Sequence, residues 1–182
     1  MKSKMRNRLV LVALLGVFAL PLIVAWVLSA TGWHPGNTQS SGTLVQPPRD
    51  VANVPITLRD GGKLRWPDPQ YRWTLLALPG SECASACRMR LEEVLRMRLT
   101  LGREASRLRV VYIGPDLPAN YLSRHAYLLT GRDDNAALSN ERAHGKDRMA
   151  LALVDPRGLL MMHYASGYSA QGLRSDIKKV LY

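Results

Sequence analysis

A chain of 182 residues with 47% hydrophobic content has room for one domain of ordinary size plus an appendage, and ample apolar material for a core. The formal net charge is +11, with 25 basic and 14 acidic side chains; the four N-terminal cations Lys2, Lys4, Arg6 and Arg8 account for part of it, and +7 remains on the rest of the chain. Because the segment behind those four residues reads as an export anchor, nucleic acid is excluded as the expected partner. Anionic lipid headgroups or an acidic face of another membrane protein fit the charge better, with a merely solvated basic surface as the bland alternative.

Leu9 to Ala30 carries no charge and is interrupted only by Gly16 and Pro21, a length that spans a bilayer. It exceeds the apolar core of a usual signal peptide, and Leu28-Ser29-Ala30 is a poor cleavage site, so residues 1–30 are expected to be a cytoplasmic basic flank and an uncleaved transmembrane anchor rather than a removed leader. The basic flank stays in the cytoplasm. The expected protein is single-pass in the inner (cytoplasmic) membrane, with its C-terminal domain in the periplasm. There a cysteine pair persists as a disulfide or is kept reduced by a partner.

Residues 31–55, with four prolines and no sustained apolar period, read as a linker. Trp33 suits the lipid interface, and His34 beside it reads as a linker residue. The domain is expected over 56–182. Ile56 to Leu58, a glycine turn at Asp60-Gly61-Gly62, and Lys63 to Trp66 predict a small hairpin. Tyr71 to Leu78 then predicts the first core strand, closed by Pro79-Gly80.

Both cysteines of the chain follow at once, Cys83 and Cys87. From Cys87 to Leu101 the pattern is helical, with Cys87, Leu91, Val94, Leu95 and Leu99 on one face. Four residues apart on a helix, the two sulfurs lie on one side of one turn, close enough to share a metal ion or form a disulfide. The helix N-terminus adds partial positive charge and free amides, which favour thiolate. A C-x3-C pair is by itself a weak signal, and two small buried residues or a purely structural disulfide is the plain alternative.

Leu108 to Ile113 predicts a second strand, so that strand, helix and strand make a βαβ unit with parallel strands. Ala119 to Leu129 has mixed helical character, with Tyr121, Leu122, His125, Leu128 and Leu129 on one face and His125 as a surface or core histidine. Thr130 to Arg148 reads as a polar excursion with one short helix. Met149 to Val154, the turn Asp155-Pro156-Arg157-Gly158, and Leu159 to Tyr164 predict a hairpin. A last helix runs from Ser169 to Leu181, with Leu173, Ile177, Val180 and Leu181 inward and Lys178-Lys179 near its C-terminus.

The order β-α-β-α-β-β-α, with a cysteine pair between the first core strand and its helix, is a thioredoxin-like α/β arrangement. Over Trp73 to Leu181 it resembles the Sco/SenC family of copper chaperones for cytochrome c oxidase assembly. That family is similar in its single N-terminal anchor, its C-x3-C at this place and its Val-Asp-Pro-x-Gly hairpin, here Val154 to Gly158. The resemblance implies a membrane-anchored copper chaperone, not an enzyme in the strict sense, that holds Cu(I) through Cys83 and Cys87. Its implied partner is a cytochrome c oxidase subunit or another assembly factor.

The chain departs from the family's pattern at three places. Ala84 and Arg88 stand where prolines usually follow the cysteines, and Asp147 stands where the third copper ligand, a histidine, would be. His144, three residues earlier, is the candidate replacement ligand. His163 and the methionines Met89, Met97, Met161 and Met162 read as packing residues. Two thiolates hold soft Cu(I), whereas Cu(II) binding is expected to weaken without the imidazole. The competing functions are a thiol-disulfide oxidoreductase, with Cys83 attacking and Cys87 resolving, and a binding module that uses the pair only as a staple. Against the former, thioredoxin-type enzymes use C-x2-C and a cis-proline before the strand opposite the cysteines, where this chain has Lys146 to Met149.

Overall fold

The computed structural model describes Arg8, Leu14, residues 16–24, residues 26–27 and residues 41–181. The chain divides into two units, Met1–Gln39 and Ser40–Tyr182. Most of the expected anchor, together with Trp33, His34 and the linker up to residue 40, lies outside the described residues. Residues 16–24 are helical, and among the described residues no helix is long and apolar enough to cross a membrane.

The second unit is built on seven strands: β1 (Thr43–Asp50), β2 (Ile56–Leu58), β3 (Trp73–Pro79), β4 (Leu108–Ile113), β5 (Leu128–Asp133), β6 (Met149–Val154) and β7 (Leu159–Tyr164). Three helices join them: α1 (Ser85–Leu99), α2 (Ala119–Arg124) and α3 (Ala170–Leu181). The strands form one sheet in the order β1-β7-β6-β3-β4-β5-β2. β3, β4 and β5 run parallel; on the other side of β3, β6 pairs antiparallel with β3, and β7 antiparallel with β6. A continuous apolar run such as β3 needs cover on both faces. Leu75 and Ala77 accordingly enter one core, and Leu76 and Leu78 the other.

The two cores are covered differently. The face carrying Leu75 is packed by all three helices, through residues such as Leu91, Leu95, Tyr121, Leu173 and Ile177. The face carrying Leu76 is covered by Val51, Ile56, Leu64 and Leu138, which belong to β2 and loops. The cysteine helix therefore lies on the helical face, and its buried side is Cys87, Leu91, Val94, Leu95 and Met97.

Four expectations are corrected. The linker over 31–55 ends early, because residues 43–50 are the edge strand β1, paired with β7 from Thr43–His163 to Asp50–Leu159. Its Pro47 and Pro48 obscured it in the sequence; an edge strand hydrogen-bonds on one side only and tolerates proline, here within an irregular register between Leu44 and Arg49. The second arm of the 56–66 hairpin shrinks to one bridge, Thr57 to Lys63, because β2 takes β5 as its antiparallel partner instead. The helix expected over 119–129 stops at Arg124, and Leu128 and Leu129 belong to β5, which runs parallel to β4. Leu99, expected on the inner face of α1, is 58% exposed, and Met97 is buried in its place.

The N-terminal edge is fastened to the C-terminal helix. Asp176, 2% exposed, accepts the Ser41 amide at 2.6 Å and that of Gly42 at 3.4 Å, and Lys179 sits 3.5 Å from its other oxygen. At the opposite end of the sheet a buried pair joins Asp68 and Arg109 at 2.7 Å. Arg109 also donates to Thr74 Oγ1 at 2.6 Å and stacks on Trp66.

Candidate functional site

β3 runs through the core to Pro79, where Gly80 turns the chain off the sheet toward α1. Cys83 and Cys87 are joined by a disulfide with their Cα atoms 5.0 Å apart, within the range a disulfide needs. Only Cys87 lies on α1; Cys83, expected on the same helical turn, stands in the segment before the helix, which starts at Ser85. The pair is asymmetric. Cys87 is wholly buried in the helical core, whereas Cys83 is half-buried at its margin. Of the two, Cys83 is the one that solvent reaches.

The start of α1 lacks a cap of its own. Ala84 precedes it with no side-chain cap, and its first turn holds no acidic residue, so the orphan amides need an acceptor from elsewhere. Asp147 supplies one. Its Oδ2 accepts the Ala86 amide at 2.9 Å and its Oδ1 accepts the Cys87 amide at 2.9 Å. These bonds, first from Cys87 and then from Ala86, hold the Asp147 carboxyl below its ordinary value, in the sense that a negative charge at a positive helix end requires.

The loop carrying Asp147 is fixed against the cysteine segment at several points. Ala143 donates its amide to Leu78 O at 3.2 Å, and Gly80 to Arg148 O at 3.0 Å. Arg142 donates to Ile113 O at 2.9 Å, and Lys146 pairs with Glu82 at 3.2 Å. Asp147 itself has φ 52°, a left-handed conformation that Asp adopts more readily than most residues. The two cis peptide bonds of the described chain, Gln46–Pro47 and Trp66–Pro67, lie elsewhere, and β6 is entered without one. Beside the first turns of α1 runs a groove of about 410 Å³, lined by Ala86, Met89, Asp147, Arg148, Met149 and Gly167 among others.

The candidate ligands are only partly brought together. Cys83 and Cys87 meet; His144 is exposed on the loop, and among the described residues no group of three or more His, Cys, Asp or Glu side chains is placed to hold a metal. Asp147 is close to the pair, yet it is a hard oxygen donor already bound to two amides, which does not suit a soft Cu(I) ligand. His163 Nε2 is bound to Glu141 O at 2.9 Å. His125 pairs with Glu92 at 2.9 Å and packs on the Tyr121 ring at 4.7 Å. Met89 is 61% exposed, while Met97 and Met162 are buried. The donor set does not fit a three-coordinate copper site; two thiols remain.

What the sequence reading missed is the capping role of Asp147. A signal was present: Ala84 is a poor N-cap, so a helix there implied a distant acceptor without naming it.

Residues 73–182, more than half of the chain, match the family model described as "Transmembrane-like, thioredoxin-like, C-terminal domain". The chain belongs to this family. No curated protein matches the sequence. Among solved structures, the thioredoxin-like domain is similar to the apo Sco1 protein of Thermus thermophilus, with 16% identity and a TM-score of 0.56 over 80% of this chain and 99% of that one. It is similar to Arabidopsis thaliana ScoI with copper bound, at 14% identity and a TM-score of 0.53 over 69% and 93%. It is equally similar to the thioredoxin domain of a thiol-disulfide oxidoreductase from Bacteroides vulgatus, at 14% identity and 0.51 over 74% and 99%. At such identities the likeness shows the fold, which is mixed α/β and thioredoxin-like.

Proposed function

We propose that this chain is a membrane-tethered, exported Sco-like protein whose Cys83–Cys87 pair exchanges electrons with the cysteines of a partner. The observation that carries this reading is the asymmetric disulfide itself, with Cys83 half-buried and Cys87 in the core. In the reduced protein, Cys83 thiolate attacks one sulfur of a partner disulfide and expels the other as thiolate. Cys87 thiolate then attacks Cys83, closing the intramolecular disulfide and releasing the partner sulfur. Two electrons pass to the partner, which leaves as a dithiol, and a dithiol donor restores Cys83 and Cys87.

The resemblance to Sco/SenC proteins names the partner class: a cytochrome c oxidase subunit or another factor in its assembly. The basic flank and apolar run before residue 31 support the tether in the inner membrane and a periplasmic domain. A second reading rests on the spacing of the same sulfurs. When reduced they can carry one Cu(I) as cargo between two thiolates, without the imidazole that would strengthen Cu(II) binding.

The test uses the reduced full chain in detergent with a peptide disulfide as substrate. Peptide thiols should appear together with the Cys83–Cys87 disulfide, Cys83→Ser should abolish the reaction, and Cys87→Ser should stall it as a mixed disulfide at Cys83. No thiol release by the reduced wild type removes the exchange reading. One tightly held Cu(I) per reduced chain, lost in either cysteine variant, would then favour the cargo reading.

A further inference from the structure

We infer that Asp147 poises the cysteine pair as an electron donor, biasing the dithiol–disulfide equilibrium toward the disulfide; this rests on the exchange reading above. The first-turn amides of a helix normally favour a thiolate placed near them, by hydrogen bonding and by the positive end of the helix dipole. Here the amides of Ala86 and Cys87 are both taken by one carboxylate at 2.9 Å. The reduced pair therefore loses those donors and meets a fixed negative charge.

The disulfide is neutral and is not penalised by that charge. Of the neighbouring cations, Lys146 pairs with Glu82 and Arg90 with Glu93, and Arg148, beside Asp147 on the groove, is exposed, where solvent screens its charge. Arg88 attracts Asp147 only weakly compared with the two amide bonds. The backbone holds the carboxylate in place, through the left-handed residues Gly145 (φ 93°) and Asp147 (φ 52°) and the contacts of Gly80 with the loop. Raising the free energy of the dithiol makes the couple more reducing. Electrons then flow outward: Cys83 and Cys87 lose two electrons and two protons in all, and the partner disulfide gains them.

The residue is a positioning residue, so the readout is a potential. The full chain in detergent is equilibrated with mixtures of reduced and oxidised dithiothreitol at a pH of about 8.5, the ordinary thiol value. The fraction of reduced pair is counted by alkylation in wild type, Asp147→Asn and Asp147→Ser. Asn keeps the shape and tolerates the left-handed backbone.

Both variants should shift the equilibrium toward the dithiol by roughly threefold to tenfold, a tenfold change being about 30 mV for two electrons. A midpoint unchanged within about twofold, or moved the other way, overturns the inference. Melting temperatures of the oxidised and reduced forms are measured alongside. A purely structural role would lower both equally and leave the midpoint where it was. The outcomes also separate the two readings, since a wild type that reaches a midpoint with dithiothreitol yet ignores the peptide disulfide defeats the exchange reading alone.

Discussion

A Cβ added to Gly80 would stand 1.9 Å from the carbonyl oxygen of Gly145 and 3.0 Å from that of Ala143. The turn that leads to the cysteines and the loop that carries Asp147 thus touch backbone to backbone, and no side chain fits between them. Gly80→Ala should force the loop away and cost about 1–3 kcal/mol, as overpacking of a fixed backbone does. Urea unfolding measures the loss. The same variant should move the dithiothreitol midpoint in the direction of Asp147→Asn, because it displaces the carboxylate without removing it.

Copper supplies a gain-of-ligand prediction. Asp147 stands where the resemblance expects an imidazole, within hydrogen-bond distance of the Cys87 amide. In the reduced full chain Asp147→His should tighten Cu(II) binding by at least about tenfold, or 1.4 kcal/mol, measured by competition with a chelator. His144→Ala should change neither Cu(I) nor Cu(II) affinity by more than about twofold, since His144 is exposed on the loop. A large loss in His144→Ala would show that the loop rearranges to bring that ring in.

The pair of Asp68 and Arg109 is a buried ion pair, with side chains 0% and 8% exposed. Asp68→Asn leaves the Arg109 guanidinium buried without its counter-charge and should cost about 3–5 kcal/mol. Thermal or urea unfolding checks it. Arg109→Met, which removes the charge as well as the bond, should be less harmful when combined with Asp68→Asn than either single change predicts.

The same carboxylate makes stability depend on acid. Burial works against ionised Asp68, but hydrogen bonds from Arg72 and the Arg109 charge outweigh it and hold the group below its ordinary value of 3.8. The unfolded chain therefore takes up this proton at a higher pH than the folded one. The contribution of Asp68 is complete above the ordinary value, and it is lost as pH falls from about 4 through the lower folded value. Asp147 is shifted the same way and adds to the slope. Unfolding free energies measured from neutral pH down to about pH 3 should fall in wild type and fall less steeply in Asp68→Asn.

Asp176→Ala should release the start of β1. It removes the acceptor for the Ser41 and Gly42 amides and the partner of Tyr164 Oη at 3.5 Å. The expected cost is about 1–3 kcal/mol for amides left unsatisfied. Hydrogen exchange at residues 41–45 should quicken well before exchange in β3 or β6 does.

Most of the core was legible in the sequence because its signals are local. The apolar run before Pro79, the β-branched run Leu108 to Ile113, the Asp155 to Gly158 turn and the period of α3 each lie within a few residues, and each became the element it predicted. The spacing of Cys83 and Cys87 announced a close pair of sulfurs, but not that Cys83 would stand in the segment before the helix rather than on it. Elements that depend on a distant partner were not legible. β1 is a strand because β7 offers it an edge, and β5 is a strand because β4 offers one; neither QPPR nor LLTGRD announces this alone. The site divides in the same way. Its sulfurs were readable from the chain, but the electrostatics around them were decided by Asp147, sixty residues from Cys87. Only the sheet, by placing Met149 opposite Pro79, brings that carboxylate to the uncapped start of α1, where two free amides bind it.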